Sequence, residues 1–290
     1  MKAPPFAYHR PTTREELAGL LASLDNAKVL AGGQSLMPML NLRLLFPDHL
    51  IDINRVEGLA GVRREGDAVV IGAMTRQSDL LASPIVRERL PALAEALVHV
   101  GHMQTRSRGT IGGSCCHLDP SAEQPAMAVL HDAIFEVAGA RGRRTVPAAD
   151  WCAGMLQSAL EDDEYLEAIR FEPWRPGSGY GFAEYARRHG DFAIVGCGAL
   201  LDTDAAGRIA RAAVVIFGVE PSPVRLAAAE AALVGQPAEA LDPAPVLAAA
   251  EALDAMDDIH VTAAYRRRLA VAMAKRALGD AARRLTKDRT

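Results

Sequence analysis

No apolar run in the 290-residue sequence approaches the roughly 18 residues that a membrane-crossing helix needs. Residues 1–10 also lack the charged start and apolar stretch of a secretory signal. The expectation is therefore a cytoplasmic chain with no membrane span. Cysteine is scarce: Cys115, Cys116, Cys152 and Cys197 lack the paired spacing of a disulfide framework, a zinc site or an iron–sulfur run, and free, mostly buried thiols are expected. His117 follows Cys115 and Cys116, but sequence neighbours cannot surround a tetrahedral metal, and no second pair lies at ligand spacing. His102 and His189 have no arguable Ser or Cys partner, so neither a metal nor a catalytic side chain is expected. Neither sign of charge dominates: the formal net charge is −4, which points to no nucleic-acid partner. The run Arg266 to Arg268 reads as a solvated or subunit-facing part of a helix. Neither G-x-G-x-x-G nor the P-loop occurs, so a Rossmann dinucleotide site and an NTPase are unsupported.

Half of the residues are hydrophobic, and the chain is long enough to bury a sizeable core in two modest domains or one large one. A helix is expected from Thr12 or Thr13 as N-cap to Leu24, with acids in its first turn and Leu17, Leu20, Leu21 and Leu24 on one face. Strands are expected at Ala27–Leu30, Leu50–Ile53 and Val69–Ala73, and a helix at Pro91–Val100 stopped by Gly101. Thr105 to Pro125 concentrates glycine and small polar residues and reads as an elaborate loop. Prolines and glycines between Pro173 and Gly181 mark the best domain boundary. Beyond it, strands at Phe192–Leu201 and Ile209–Val219 precede helical tracts at Val224–Val234, Ala244–Met256 and Ala263–Arg284, an α+β arrangement.

Two diglycine loops stand out, Ala31-Gly32-Gly33-Gln34-Ser35 after one strand and Thr110-Ile111-Gly112-Gly113-Ser114 about eighty residues later. Adjacent glycines admit positive φ and let successive N–H groups converge on phosphate oxygens, while Ser35, Thr110 and Ser114 can add hydroxyl donors. Either loop alone reads as readily as a plain turn. Together they suit a diphosphate, which has two faces to satisfy.

The runs VLAGGQSLMPML, HMQTRSRGTIGGSCCHLDPSAEQPA and FAEYARRHGDFAIVG, in that order, resemble the FAD-binding medium subunit of the carbon monoxide dehydrogenase and xanthine dehydrogenase (molybdenum hydroxylase) family, and the likeness extends from about Phe6 to about Ala277. The resemblance implies an α+β fold: a two-subdomain FAD-binding domain of the vanillyl-alcohol-oxidase (PCMH) type over 1–175, with subdomains at about 1–55 and 56–175, then a small C-terminal sheet-and-helix domain over 176–290. It implies FAD held by Leu30, Ala31, Gly32, Gly33, Gln34, Ser35 and Leu36 and by Thr110, Ile111, Gly112, Gly113 and Ser114, with the diphosphate on backbone amides. Asp119 and Glu123 would meet the ribitol and ribose hydroxyls, Leu166 the adenine through its backbone, and Val100 with Gly101 the flavin ring. Phe192 falls where some relatives stack a tyrosine on the isoalloxazine; it could shield the flavin but cannot donate a hydrogen bond, and it reads equally as a core residue opening a strand. Glu184 stands where some relatives carry a lysine.

The implied activity is that of an oxidoreductase subunit. Electrons would come from a small [2Fe–2S] subunit, after substrate oxidation on a large molybdenum-cofactor subunit, and pass to an acceptor such as a quinone, a cytochrome, oxygen or NAD. The implied assembly is a dimer of heterotrimers. A self-sufficient FAD-dependent oxidoreductase of the same fold is the alternative, and a scaffold that has lost its cofactor is a third reading that the intact glycine loops oppose.

Overall fold

A computed structural model describes residues 2–287. The N-terminal portion forms β1 (Ala7–His9), α1 (Arg14–Ser23), β2 (Ala27–Leu30), α2 (Leu36–Asn41) and β3 (His49–Asp52), with the strands in a parallel sheet ordered β1-β3-β2. Thr13 is the cap of α1: its hydroxyl accepts from the Glu16 N–H while the Glu16 carboxylate reaches back to the cap backbone. Leu17 and Leu21 of α1 are buried with Ile51 of β3 and Ile53 just beyond it.

A hairpin of β4 (Val62–Glu65) and β5 (Ala68–Gly72) then leads into six helices: α3 (Gln77–Ala82), α4 (Pro84–Arg89), α5 (Pro91–His99), α6 (Met103–Arg108), α7 (Ile111–His117) and α8 (Glu123–Leu130). They are followed by β6 (Ile134–Gly139), β7 (Gly142–Pro147), β8 (Cys152–Gly154), β9 (Gln157–Ser158) and β10 (Glu164–Phe171). Five of these strands make an antiparallel sheet ordered β4-β5-β10-β6-β7, and β8 with β9 forms a separate small hairpin.

The C-terminal portion holds β11 (Gly179–Tyr185), β12 (Val195–Thr203), β13 (Ile209–Phe217) and β14 (Val224–Arg225) in an antiparallel sheet of that order, then α9 (Ala227–Leu233), α10 (Ala244–Glu251) and α11 (Ala263–Lys287). Strand β12 reads as an almost unbroken apolar run because both its faces are covered. Cys197, Ala199 and Leu201 pack with α11 residues such as Ala274 and Ala277, whereas Leu200 joins Phe182, Val215 and Phe217 in one core with Leu93, Leu97 and Met127.

Three expectations are corrected. Thr105 to Pro125 is largely helical, comprising the end of α6, α7 and the start of α8, because the diglycine lies in the first turn of a helix capped by Thr110. Phe192 is no core residue: β12 begins at Val195, and the ring sits in the preceding loop, 68% exposed. Arg266 is buried rather than solvated; its guanidinium donates to the carbonyls of Met256, Ile194 and Gly218 and pairs with Asp258, while Arg268 is exposed. All four cysteines are free; Cys115 and Cys197 are buried, Cys116 and Cys152 only partly.

Candidate functional site

Strand β2 ends at Leu30, and the chain turns through Ala31, Gly32 and Gly33 into α2. Gly33 has φ +73°, the left-handed region in which a side chain is strained. Gly32 lies so close to the run into the second loop that a Cβ would overlap the Arg108 carbonyl oxygen and sit 2.8 Å from the Gly109 Cα. Among the described residues, the N–H groups of Gly33, Gln34, Ser35 and Leu36 donate to no protein acceptor. Consecutive unengaged donors at a positive-φ turn are suited to an anion.

The second loop is built differently. The Ile111 N–H donates to the Thr75 carbonyl (3.2 Å), the Gly112 N–H to the Ala73 carbonyl (2.9 Å) and the Gly113 N–H to the Thr110 hydroxyl (3.0 Å). A Cβ on Gly112 would lie 2.6 Å from both the Ala73 Cβ and its carbonyl oxygen, so glycine here lets α7 close onto the chain leaving β5. A Cβ on Gly113 would lie 2.9 Å from the Thr110 hydroxyl and 3.7 Å from the Ala31 Cβ. The two loops, remote in sequence, therefore abut; the first supplies free donors, and the second a close-packed wall. A diphosphate fits this cradle, since bare backbone lies where side chains would fill it.

The remaining residues singled out by sequence occupy the surrounding elements. Val100 and Gly101 follow α5, with Gly101 at φ +47°, and their carbonyls accept from Arg106 Nη1 at 2.8 and 2.9 Å. Asp119 lies in the turn between α7 and α8 and accepts from the Ser121 N–H at 2.9 Å. Glu123 opens α8 and is buried; burial, with Asp119 nearby, pushes its carboxyl up to about 7. Leu166 is buried in β10 beside the bulge that separates it from Ala168, and its side chain shares a core with Ile111. Among the described residues, no hydrogen bond joins Leu166, Asp119 or Phe192 to the first glycine loop.

Sequence reasoning passed over three participants. Asn54 donates to the Ala31 carbonyl through Nδ2 at 2.8 Å, and Arg76 reaches both the Asn54 Oδ1 and the Arg108 carbonyl. Both lie outside the glycine runs, in segments with no motif of their own. His99, at the end of α5, places Nδ1 3.9 Å from Glu184 Oε1 on β11. Burial lowers His99 below its ordinary 6.5, and burial with Glu123 nearby raises Glu184 to about 8. Near neutral pH the Glu184 carboxyl is predominantly protonated, so this approach is not an ion pair, and among the described residues Glu184 Oε2 meets no hydrogen-bond partner.

A cradle suited to a diphosphate on a mixed parallel and antiparallel scaffold points to a nucleotide-binding class of protein, and comparison with known proteins makes this specific. Residues 4–174 match the family described as the FAD binding domain in molybdopterin dehydrogenase, and residues 180–281 match the CO dehydrogenase flavoprotein C-terminal domain. The chain belongs to the FAD-binding medium-subunit family of the molybdenum hydroxylases, whose members include carbon monoxide and xanthine dehydrogenases. It is 40% identical to the carbon monoxide dehydrogenase medium chain of Hydrogenophaga pseudoflava, over 97% of this chain and 98% of that protein. It is 37% identical to the caffeine dehydrogenase subunit beta of Pseudomonas sp. (strain CBB1), over 98% and 97%. Among solved structures, the carbon monoxide dehydrogenase of Hydrogenophaga pseudoflava superposes with a TM-score of 0.93 at 41% identity, covering 98% of this chain and 99% of that one. The quinoline 2-oxidoreductase of Pseudomonas putida 86 gives 0.90 at 34% identity, covering 98% and 99%. The cofactor of this oxidoreductase subunit is FAD. No helix among the described residues is long and apolar enough to cross a membrane.

Proposed function

We propose that this chain accepts electrons from the iron–sulfur clusters of a small partner subunit and delivers them to an external acceptor, while a large molybdenum-cofactor subunit performs the substrate chemistry. The observation that carries the reading is the abutment of the two glycine loops, with free N–H groups on one and packed backbone on the other. FAD, when bound, supplies the capacity to collect electrons singly and release them as a pair. The chain's own residues bind and orient it: Leu30 to Leu36 and Thr110 to Ser114 at the diphosphate, Asp119 and Glu123 at sugar hydroxyls, the Leu166 backbone at the adenine, and Val100, Gly101 and Phe192 at the flavin ring. Phe192, exposed on its loop, would cover a ring face without donating a hydrogen bond. Division into a domain over 1–175 and another over 176–290 is part of the same reading, supported by the gap between family matches ending at 174 and beginning at 180.

Relatives described as medium chains or as subunits of dehydrogenase complexes support the partner assignment. The expected outcome is a yellow complex purified from the native source, in which this chain accompanies one larger and one smaller subunit as a dimer of heterotrimers, located in the cytoplasm. Substrate should bleach the flavin only when both partners are present. Turnover of a small substrate by the isolated chain would overturn the proposal in favour of a self-sufficient flavoenzyme.

A further inference from the structure

The first glycine loop offers its donors only while its backbone keeps a set distance and angle to the second. Glycines cannot enforce that; they permit close approach without specifying it. The specification lies in two side chains. Asn54, just beyond β3, is held on several sides: its N–H donates to Asp52 Oδ1 at 2.9 Å, and Nδ2 bonds the same oxygen at 2.5 Å and the Ala31 carbonyl at 2.8 Å. Its remaining group, Oδ1, accepts from Arg76. Arg76, at the N-cap of α3, spends its other η nitrogen on the Arg108 carbonyl, the same oxygen against which Gly32 is packed.

Asp52 anchors the base. Burial opposes its charge, but hydrogen bonds from Tyr8 and Asn54 outweigh burial and hold the carboxyl below its ordinary value. A continuous path therefore runs from Tyr8 through Asp52, Asn54 and Arg76, with branches to the backbone of the first loop at Ala31 and of the run into the second at Arg108. Charge-assisted hydrogen bonds of this kind, fixed at both ends, resist rotation better than a single contact.

We propose that Asn54 and Arg76 form a strut that sets the spacing between the two glycine loops, which makes both of them positioning residues for the diphosphate. The inference rests on the reading of these loops as the FAD diphosphate cradle. Neither side chain needs to touch the cofactor. The strut fixes the Ala31 carbonyl just upstream of the donors of Gly33 to Leu36, so the donors are preorganised and binding does not have to order them.

The test uses the full chain stripped of flavin, titrated with FAD, ADP and AMP, with the thermal unfolding midpoint measured in parallel. Asn54→Ala removes the anchor on Ala31 without changing charge. Arg76→Lys keeps the charge but cannot serve the Asn54 oxygen and the Arg108 carbonyl together in fork geometry. Each is expected to weaken FAD and ADP on the order of tenfold or more, the loss of a charge-assisted bond, while AMP affinity and the unfolding midpoint hold. Unchanged FAD and ADP affinity in both variants overturns the strut. Full affinity in Arg76→Lys beside a loss in Arg76→Ala assigns the effect to charge and also overturns it. Equal losses for ADP and AMP, or a collapsed midpoint in both variants, would mark general damage and overturn it as well. A wild-type chain that binds neither FAD nor ADP sinks the cradle reading itself, so the two failures are separable.

Discussion

Four glycines at the candidate site do three separate jobs. Gly33 adopts a left-handed turn, Gly32 and Gly112 admit backbone and side-chain neighbours, and Gly113 leaves room for the Thr110 hydroxyl that caps α7. Replacing Gly32 with valine would drive a side chain into the Arg108 carbonyl and spread the cradle. The variant is expected to fold but to purify with little flavin, read as a fallen ratio of visible to ultraviolet absorbance. Glu184 gives a second expectation at this scale. Its carboxyl titrates at about 8 when folded, against an ordinary 4.5, because burial, with Glu123 nearby, penalises its charge. The folded state therefore retains a proton that the unfolded chain has already lost, and stability falls as pH rises from about 4.5 to about 8. Glu184→Gln should flatten that slope and raise the unfolding midpoint at pH 8 relative to wild type. An identical pH profile in the two proteins would show that the buried carboxyl does not govern it. The cluster itself was hidden from sequence analysis, since His99, Glu123 and Glu184 come from α5, α8 and β11.

Among the elements, α11 shows how small residues govern docking. Gly179 and Gly181 of β11 face Ala281 and Ala277, and a Cβ on either glycine would overlap a helix carbonyl oxygen. The helix thus lies directly on the strand, and Arg284 completes the contact over the Tyr180 ring, 3.9 Å from its centroid. Gly181→Leu should lift α11 and lower stability by about 1–3 kcal/mol through overpacking, measured by denaturant unfolding. The periodicity of α11 was plain from its sequence, as was the helical spacing of leucines that marks α1, because each pattern repeats within one element. The helices α6 and α7 were not: they are only six and seven residues long, and α7 carries two glycines in its first turn, so the helical signal is weak. Tertiary hydrogen bonds from Ile111 and Gly112 to Thr75 and Ala73 hold that segment in place.

Across the whole molecule, the C-terminal sheet and the helices of the preceding portion share one core. Leu200, Val215 and Phe217 pack with Leu93, Leu97 and Met127, and a Cβ on Gly198 would lie 2.6 Å from the Met127 methyl carbon. A fragment ending at residue 175 would expose that face of α5 and α8. It is expected to aggregate or to bind a hydrophobic dye, even though its FAD loops are intact; a monomeric, flavin-retaining fragment would contradict this. The proline- and glycine-rich boundary marks a change of pattern along the chain and not a line of mechanical separation.

Local chemistry alone was enough to place the glycine runs, the capped helix α1 and several of the apolar strands, since backbone freedom, capping and periodicity act between near neighbours in the chain. Ordered motifs also carried the family resemblance and, with it, the cofactor. The folded chain decided which loop offers donors and which only packs, what faces Arg266, and that Asn54 and Arg76 bridge the cradle. Those outcomes depend on which groups from distant segments meet, and no local pattern encodes such meetings.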